Sequence, residues 1–388
     1  MQKDEQRQMK WWGWGAEGTR LDVSDKPGLW PYIQKTLGIN IFQPTPPVRL
    51  EDIKLSPVHV EPTFMSALKD LLRDDQVSTD HKQRVIHSYG KSFRDLWRMR
   101  NALVEASPDV VVYPEDEAQV VAIVTLCDQM NVVLIPFGGG SNIVGGLDAA
   151  QAKGRTVVSL DMKRMNKVLQ VDSDSMTATI EAGVLGPDME EQLKKSGVTL
   201  GHFPDSFVHS TLGGWIATRS AGMQSDKYGK IEDMVLSIRL VTPKGTIVTR
   251  TVPKSASGIN INHLCIGSEG VLGVITQATM QVHKIPACRH PHGYIFPNWQ
   301  SGVAAMRECV DQGLIPVVSR LNDPMKTGLS FAYKAESSST VAKLVSKLIK
   351  WYMFSVRKFD PDQICMMITI FEGSKAFVSR QKTSACHL

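Results

Sequence analysis

The feature that most constrains this chain is a run of three glycines that directly follows a short apolar segment. Residues 131–135 predict a buried strand, and the run after it is Pro136, Phe137, Gly138, Gly139, Gly140, Ser141 and Asn142. Glycines leave backbone N–H groups uncovered by side chains, so a turn of this composition is suited to form a concave phosphate site. The alternative interpretation is a glycine-rich surface turn.

The run matches neither of two common phosphate-binding motifs. A dinucleotide fingerprint that uses the glycines at 138 and 140 needs a glycine or alanine at 143, where the chain has Ile143. A Walker loop needs a following Gly-Lys-Ser/Thr sequence, which is missing here. The sequence therefore excludes both motifs at this position.

Composition indicates an ordinary soluble globular protein of two or three domains. The chain has 388 residues, and 44 basic against 39 acidic residues give a formal net charge of +5. This charge is mild and dispersed, so it gives no reason to expect nucleic acid as a partner. It is compatible with anionic substrates or an anionic membrane surface.

The six cysteines indicate neither a metal site nor a disulfide framework. They are scattered over positions 127 to 386 without a CxxC pair or a zinc-ligand spacing. The sequence contains no apolar run long enough to span a membrane, and its first residues lack a hydrophobic signal region. The last three residues, Cys386, His387 and Leu388, loosely match a peroxisomal address of the Ser-Lys-Leu type.

Strands mixed with a few helices predict an α+β fold in three parts. Residues 1–100 read as an arm and a helical segment, in which Trp11, Trp12 and Trp14 are expected to anchor the arm. Residues 101–286 form the main domain, including a hairpin over 234–242 and 246–250. Residues 293–388 predict a small antiparallel sheet backed by helices.

Three further segments are rich in glycine, hydroxyl groups or both. The second segment is Asp205, Ser206, Phe207, Val208, His209, Ser210 and Thr211, and Ser210 or Thr211 is placed to cap a helix over 212–221. The third segment is Thr218, Arg219, Ser220 and Ala221. The fourth segment is Gly267, Ser268, Glu269, Gly270, Val271, Leu272 and Gly273, a tight turn that leads into a predicted strand over 271–283. Each of these segments also has a simpler interpretation. The second is compatible with an ordinary helix cap, the third with a surface arginine and the fourth with a plain turn.

The order and spacing of the four segments resemble the FAD domain of vanillyl-alcohol-oxidase-type (PCMH-type) flavoproteins. The tryptophan-glycine arm at 10–15 and Tyr-Gly-Lys-Ile-Glu-Asp at 228–233 narrow the resemblance to the alkyldihydroxyacetonephosphate (alkylglycerone-phosphate) synthase family. Ser-Arg-Leu-Asn-Asp at 319–323 and Phe-Glu-Gly at 371–373 extend it over almost the whole chain.

The resemblance implies non-covalently bound FAD and no metal. It implies that the four segments contact the cofactor and that Arg320 lies beside the flavin as a catalytic cation, although a salt bridge to Asp323 is the plainer interpretation of that arginine. The implied reaction exchanges the acyl chain of acyl-dihydroxyacetone phosphate for a long-chain fatty alcohol in ether lipid biosynthesis, with no net redox change. A homodimer, peripheral membrane association and a peroxisomal location are implied as well.

The sequence departs from the family where it ends. Members continue for about another domain, which carries a tyrosine acid/base, a histidine-rich segment and a basic residue for the substrate phosphate. No residue of this chain maps to these groups, so we expect a truncated form with an incomplete cap domain, whose activity is in question. His209 also replaces an aromatic residue of the relatives.

Two other functions remain open on the sequence. A flavin-dependent 2-hydroxyacid dehydrogenase of the D-lactate type shares the FAD motifs but is not expected to carry the tryptophan-glycine arm. A non-catalytic flavin-binding isoform that pairs with a full-length subunit is the third interpretation.

Overall fold

A computed structural model describes residues 9–19, 22–40, 45–335 and 340–386. His387 and Leu388 of the predicted peroxisomal address lie outside these residues. The chain divides into two compact units. Unit 1 is Met1–Thr19, Pro46–Met223 and Tyr228–Ile285, and unit 2 is Arg20–Thr45, Gln224–Lys227 and Pro286–Leu388.

Both units contain helices and strands. The helices are α1 (Leu29–Leu37), α2 (Pro62–Leu71), α3 (His81–Ile86), α4 (Phe93–Arg100), α5 (Glu117–Gln129), α6 (Gly186–Lys194), α7 (Leu212–Ala217), α8 (Ser225–Tyr228), α9 (Ile231–Met234), α10 (Ile261–Cys265), α11 (Trp299–Asp311), α12 (Pro324–Ala332), α13 (Thr340–Trp351) and α14 (Lys375–Cys386). The strands are β1 (Val77–Ser78), β2 (Val110–Val112), β3 (Val133–Phe137), β4 (Val157–Asp161), β5 (Val168–Asp172), β6 (Thr177–Glu181), β7 (Val198–Thr199), β8 (Val235–Thr242), β9 (Gly245–Val248), β10 (Val274–Gln281), β11 (His283–Lys284), β12 (Cys288–Phe296), β13 (Val318–Asn322) and β14 (Cys365–Gly373). This mixture confirms the predicted α+β class.

The first sheet of unit 1 places the glycine segment at the carboxyl edge of parallel strands. Its order is β1-β2-β4-β3, and β4 pairs in parallel with both β2 and β3. Strands β2 and β4 are buried along their whole length, as expected for parallel strands covered on both faces. In this register Phe137 lies opposite Asp161, so residues 138–142 leave the sheet beside the end of β4.

The second sheet of unit 1 is antiparallel, in the order β5-β6-β10-β8-β9. Ile180, Leu193, Leu212 and Trp215 pack in its core together with other apolar residues of this sheet, α6 and α7. The predicted hairpin is confirmed, because β8 and β9 pair around a tight turn in which Thr242 lies opposite Gly245.

Strand β10 begins three residues later than the predicted strand over 271–283. Gly270 and Gly273 have φ values of +82° and +151°, which hold the preceding residues in a turn. At Gly273 a Cβ atom would overlap the backbone of Val241 on the neighbouring strand. The prediction began the strand too early because Val271 and Leu272 are typical strand residues. The structure places them in the turn between Gly270 and Gly273.

The arm of unit 1 is anchored by a tryptophan, as the sequence predicts. Trp11 is buried in a cluster with Ile53, Val85 and Tyr89. Trp14, by contrast, remains partly exposed and reaches the wall of a cavity.

Unit 2 contains the predicted small antiparallel sheet, in the order β12-β14-β13. Helix α1 belongs to the same unit and packs on α12, where the Tyr32 hydroxyl donates a 2.5 Å hydrogen bond to the Met325 carbonyl. Within the described ranges of both units, no helix is long and apolar enough to cross a bilayer.

Candidate functional site

Unit 1 contains a cavity of about 680 Å³ to which all four predicted segments contribute. This volume is within the usual range for cofactor sites, about 300–1,000 Å³. The predicted residues that line it are Pro136, Phe137, Gly138, Gly139, Gly140, Ser141, Asn142, Asp205, Ser206, Ser210, Thr211, Thr218, Ser220, Ala221, Ser268, Glu269, Gly270 and Gly273. Segments that lie up to 137 positions apart in the sequence therefore meet at one site.

The glycine segment presents unused hydrogen-bond donors to this cavity. Among the described residues, the backbone N–H groups of Gly139, Gly140, Ser141 and Asn142 have no acceptor. Four successive unpaired amides in a turn form an anion-binding nest, and Gly140 has the positive φ (+68°) that such a turn uses. The donor set fits the diphosphate of a dinucleotide cofactor.

Close approach, as well as backbone conformation, requires glycine in this segment. A Cβ atom on Gly138 would overlap the Thr211 hydroxyl, and one on Gly139 would overlap the His209 carbonyl oxygen. The first and second segments thus pack backbone against backbone, and the cavity lies along this contact.

Thr211 is the helix cap that the sequence predicts. Its hydroxyl accepts a 3.3 Å hydrogen bond from the Gly214 N–H in the first turn of α7. Ser210, the other candidate, instead accepts a 2.7 Å hydrogen bond from the indole N–H of Trp215. Thr211 therefore fixes the start of α7, while Ser210 holds the buried Trp215 in the cavity wall.

Behind the third segment, a buried histidine supports the wall. His202 is 1% exposed, and its Nε2 lies 3.1 Å from the hydroxyl of Ser220. Burial lowers the pKa of His202 to about 4. Its Nδ1 is buried without a partner among the described residues, so the ring is neutral at physiological pH.

Seven of the predicted contact residues lie outside the lining of this cavity. They are Phe207, Val208, His209, Arg219, Gly267, Val271 and Leu272. The Arg219 guanidinium donates a 2.8 Å hydrogen bond to the His263 carbonyl, and its side chain covers Gly267. His209 lines a second cavity.

Arg320 lies on β13 in unit 2, where its side chain is exposed. No salt bridge to Asp323 forms in the described part of the chain. The Asp323 carboxylate instead caps α12 by accepting a 2.7 Å hydrogen bond from the Lys326 N–H. The plainer interpretation of Arg320 as an ion-pair partner of Asp323 is therefore wrong.

Several lining residues were not predicted as contacts. They include Trp14, Ile143, Val144, Gly146, Leu147, Met162, Ala182, Gly213, Gly214, Trp215, Ala217, Val274 and Ile275. Gly213 and Gly214 lie just after the second segment, separated from it only by Leu212, so this pair of glycines was a usable signal. Trp14 had no signal of its own, because its place at the cavity depends on how the arm folds back.

Comparisons with known proteins identify the class of this site. A family profile described as an FAD binding domain matches residues 108–251, which include the first three segments. The fold, the unpaired amides and this match define unit 1 as an FAD-binding domain.

The particular family follows from similarity over almost the whole of this chain. The chain is 42% identical over 97% of its length to an alkyldihydroxyacetonephosphate synthase of Dictyostelium discoideum, and 36% identical over 97% to one of Trypanosoma brucei brucei. A solved alkyldihydroxyacetonephosphate synthase superposes with a TM-score of 0.88 at 41% identity, covering 98% of this chain and 72% of that one. The chain belongs to the alkyldihydroxyacetonephosphate synthase family. It spans 65% and 64% of the lengths of the first two relatives.

Proposed function

We propose that the protein, with FAD bound in the first cavity, is an alkyldihydroxyacetonephosphate synthase. It exchanges the acyl chain of acyl-dihydroxyacetone phosphate for a long-chain fatty alcohol. The observation that carries this proposal is the cavity formed by all four segments, in a chain 42% identical to a synthase of this name. The bound flavin supplies the reactive ring for an exchange without net oxidation or reduction.

The residues of the chain bind and orient the cofactor in this proposal. The free amides of residues 139–142 bind the diphosphate, because unpaired N–H groups in a nest stabilise negative charge. The side chain of Asn142 donates a 3.2 Å hydrogen bond to Glu269 and joins the first segment to the fourth. His202 holds Ser220 in place from behind.

Arg320 is the proposed catalytic cation. Its guanidinium is always charged, and within the described residues it has no carboxylate partner. A free cation of this kind stabilises negative charge that develops during the exchange. We expect Arg320→Ala to abolish exchange and to leave the FAD content unchanged, with Arg320→Lys retaining part of the rate.

An exchange assay tests the proposal. FAD-loaded protein is incubated with acyl-dihydroxyacetone phosphate and labelled hexadecanol, and we expect labelled alkyl product together with an equal amount of released fatty acid. Flavin reduction by D-lactate without exchange would instead support the dehydrogenase. Bound flavin with neither activity would support the non-catalytic isoform.

Peripheral membrane association is part of the proposal, and helix α13 supports it. Val341, Leu344 and Leu348 are 71%, 60% and 55% exposed and recur at helical spacing. Lys347 and Lys350 lie on other sides of the helix, and residues 340–351 contain no acidic residue. A basic amphipathic helix of this kind suits an anionic lipid surface.

Vesicle sedimentation tests the role of α13. We expect the protein to bind vesicles that contain phosphatidylserine more strongly than vesicles of phosphatidylcholine alone. A double variant, Leu344→Ser with Leu348→Ser, should lose most of this binding. Val303→Ser with Val310→Ser on α11, which are also exposed, is the matched control. Equal loss in both double variants would contradict the assignment to α13.

A peroxisomal location and a homodimer complete the proposal. The location rests on the resemblance of residues 386–388 to a peroxisomal address, and the dimer rests on the family resemblance. Imaging of an N-terminally tagged chain with and without Leu388 tests the location. Light scattering of the FAD-loaded protein tests the dimer.

A further inference from the structure

Unit 1 contains a second cavity, of about 480 Å³, that shares the glycine segment with the first. The common wall is formed by residues 137–140 and Thr211. The remaining lining residues are Met9, Gln83, Ile86, His87, Lys91, Asp161, Lys163, Arg164, Asn166, Gly183, Leu185, Asp188 and His209. The charged side chains in this list are not among the predicted FAD contacts.

Lys91 is the central group of this cavity. It is only 5% exposed, and its ammonium donates one 3.0 Å hydrogen bond, to the Trp11 carbonyl. An ammonium has three N–H donors, and in the described part of the chain no carboxylate lies within 4 Å of this one. Burial lowers the pKa of Lys91 to about 8, against a smaller opposing effect of Asp95, so the cation persists at neutral pH. A buried cation with spare donors favours an anionic ligand.

The groups around Lys91 strengthen this preference. The half-buried ring of His209 has no hydrogen-bond partner among the described residues, and its pKa is lowered by burial and then by Lys91. Lys163 also lines the cavity. Asp161 lies 3.2 Å from Nε2 of His87 and 3.6 Å from Nζ of Lys163, and the Lys163 ammonium offsets its negative charge.

The geometry points to an oxyanion site in the second cavity, in which Lys91, His209 and Lys163 bind a phosphate group. The ligand class is inorganic phosphate or a small phosphomonoester. This oxyanion site is separate from the site of the FAD diphosphate, to which the amides of residues 139–142 donate hydrogen bonds in the proposal. The inference rests on the cavity and its cations, and it does not require the proposed exchange activity.

Calorimetric titration of the FAD-saturated protein with inorganic phosphate, at pH 7 and constant ionic strength, tests the site. Saturation with FAD occupies the nest, so that phosphate reports on the second cavity alone. We expect one site per chain, an affinity at least about tenfold lower in Lys91→Met, and near-normal affinity in Lys91→Arg. His209→Gln should also weaken binding, and Lys54→Met, an exposed lysine of the same unit, should not.

Three results would overturn the inference. The first is the absence of saturable binding to the FAD-saturated protein. The second is phosphate binding that appears only after FAD is removed, which would assign it to the nest. The third is loss of FAD from Lys91→Met while Lys91→Arg and His209→Gln bind phosphate normally, which would place Lys91 in the cofactor site. If Lys91→Met does not fold, as a thermal melt would show, His209→Gln and Lys163→Met decide the question. None of these readouts depends on ether lipid synthesis.

Discussion

The side-chain amide of Asn142 donates a 3.2 Å hydrogen bond to the carboxylate of Glu269, 127 positions further along the chain. The Asn142 side-chain oxygen meanwhile accepts hydrogen bonds from the N–H groups of Val144 and Gly146. One side chain therefore shapes the turn after the nest and joins it to the fourth segment. Asn142 and Glu269 both line the first cavity, so their hydrogen bond lies in the cavity wall.

Replacement of Asn142 by aspartate tests the link. Asn142→Asp keeps the acceptor for Val144 and Gly146 but sets a carboxylate against that of Glu269. We expect the FAD dissociation constant, measured by flavin fluorescence, to rise about tenfold, or 1.4 kcal/mol. Glu269→Gln retains an acceptor for the Asn142 amide and should bind FAD nearly normally. Equal effects of the two variants would contradict a role for the link.

A single methyl group in the glycine segment should remove the cofactor. In Gly139→Ala the new Cβ would overlap the His209 carbonyl oxygen, so the first and second segments must separate. We expect the purified variant to contain less than about a tenth of the normal FAD, measured by absorbance after denaturation. Gly293→Ala is the control, because nothing lies within 4 Å of a Cβ at that position. Normal FAD in Gly139→Ala would show that this close contact is not needed.

The hydroxyl group of Thr211 should stabilise the protein by capping α7. Thr211→Val removes the acceptor for the Gly214 N–H and should lower the free energy of unfolding by about 1 kcal/mol. Thr211→Ser retains the oxygen and should lose much less. Urea denaturation measures both, and a larger loss in Thr211→Ser than in Thr211→Val would mean that packing of the methyl group, rather than the cap, is responsible.

His202 should make the protein sensitive to acid. Its pKa is about 4 in the folded protein and about 6.5 in an unfolded chain, so the unfolded state binds the proton first. Stability is therefore fully present above pH 6.5 and declines as pH falls toward 4, by about 3 kcal/mol from this group. Thermal melts between pH 7 and 4 should fall less steeply for His202→Gln than for wild type. His59→Gln, an exposed histidine, should follow the wild type, and parallel curves for all three proteins would contradict the assignment.

The sequence predicted the parts of the site that depend on local chemistry. A glycine run after a strand, a Thr before a helix and a glycine turn before a strand each have a direct backbone cause. Residues 136–142 accordingly line the first cavity, and Thr211 caps α7 as predicted.

Contacts that depend on long-range folding could not be predicted in this way. Trp14 reaches the cavity only because the arm folds back, and Arg219 turns away because it bonds the His263 carbonyl. The burial of Lys91 follows from its place between Trp11 and Asn142, to whose carbonyl it donates a 2.6 Å backbone hydrogen bond. No local pattern in the sequence marks any of these three side chains.

The central claim is that unit 1 holds FAD along its glycine segment. Titration of FAD into the apoprotein, followed by quenching of flavin fluorescence, tests it most directly. We predict saturation at one FAD per chain in the wild type and none in Gly139→Ala. Failure of the folded wild-type protein to take up FAD would contradict the assignment of all four segments.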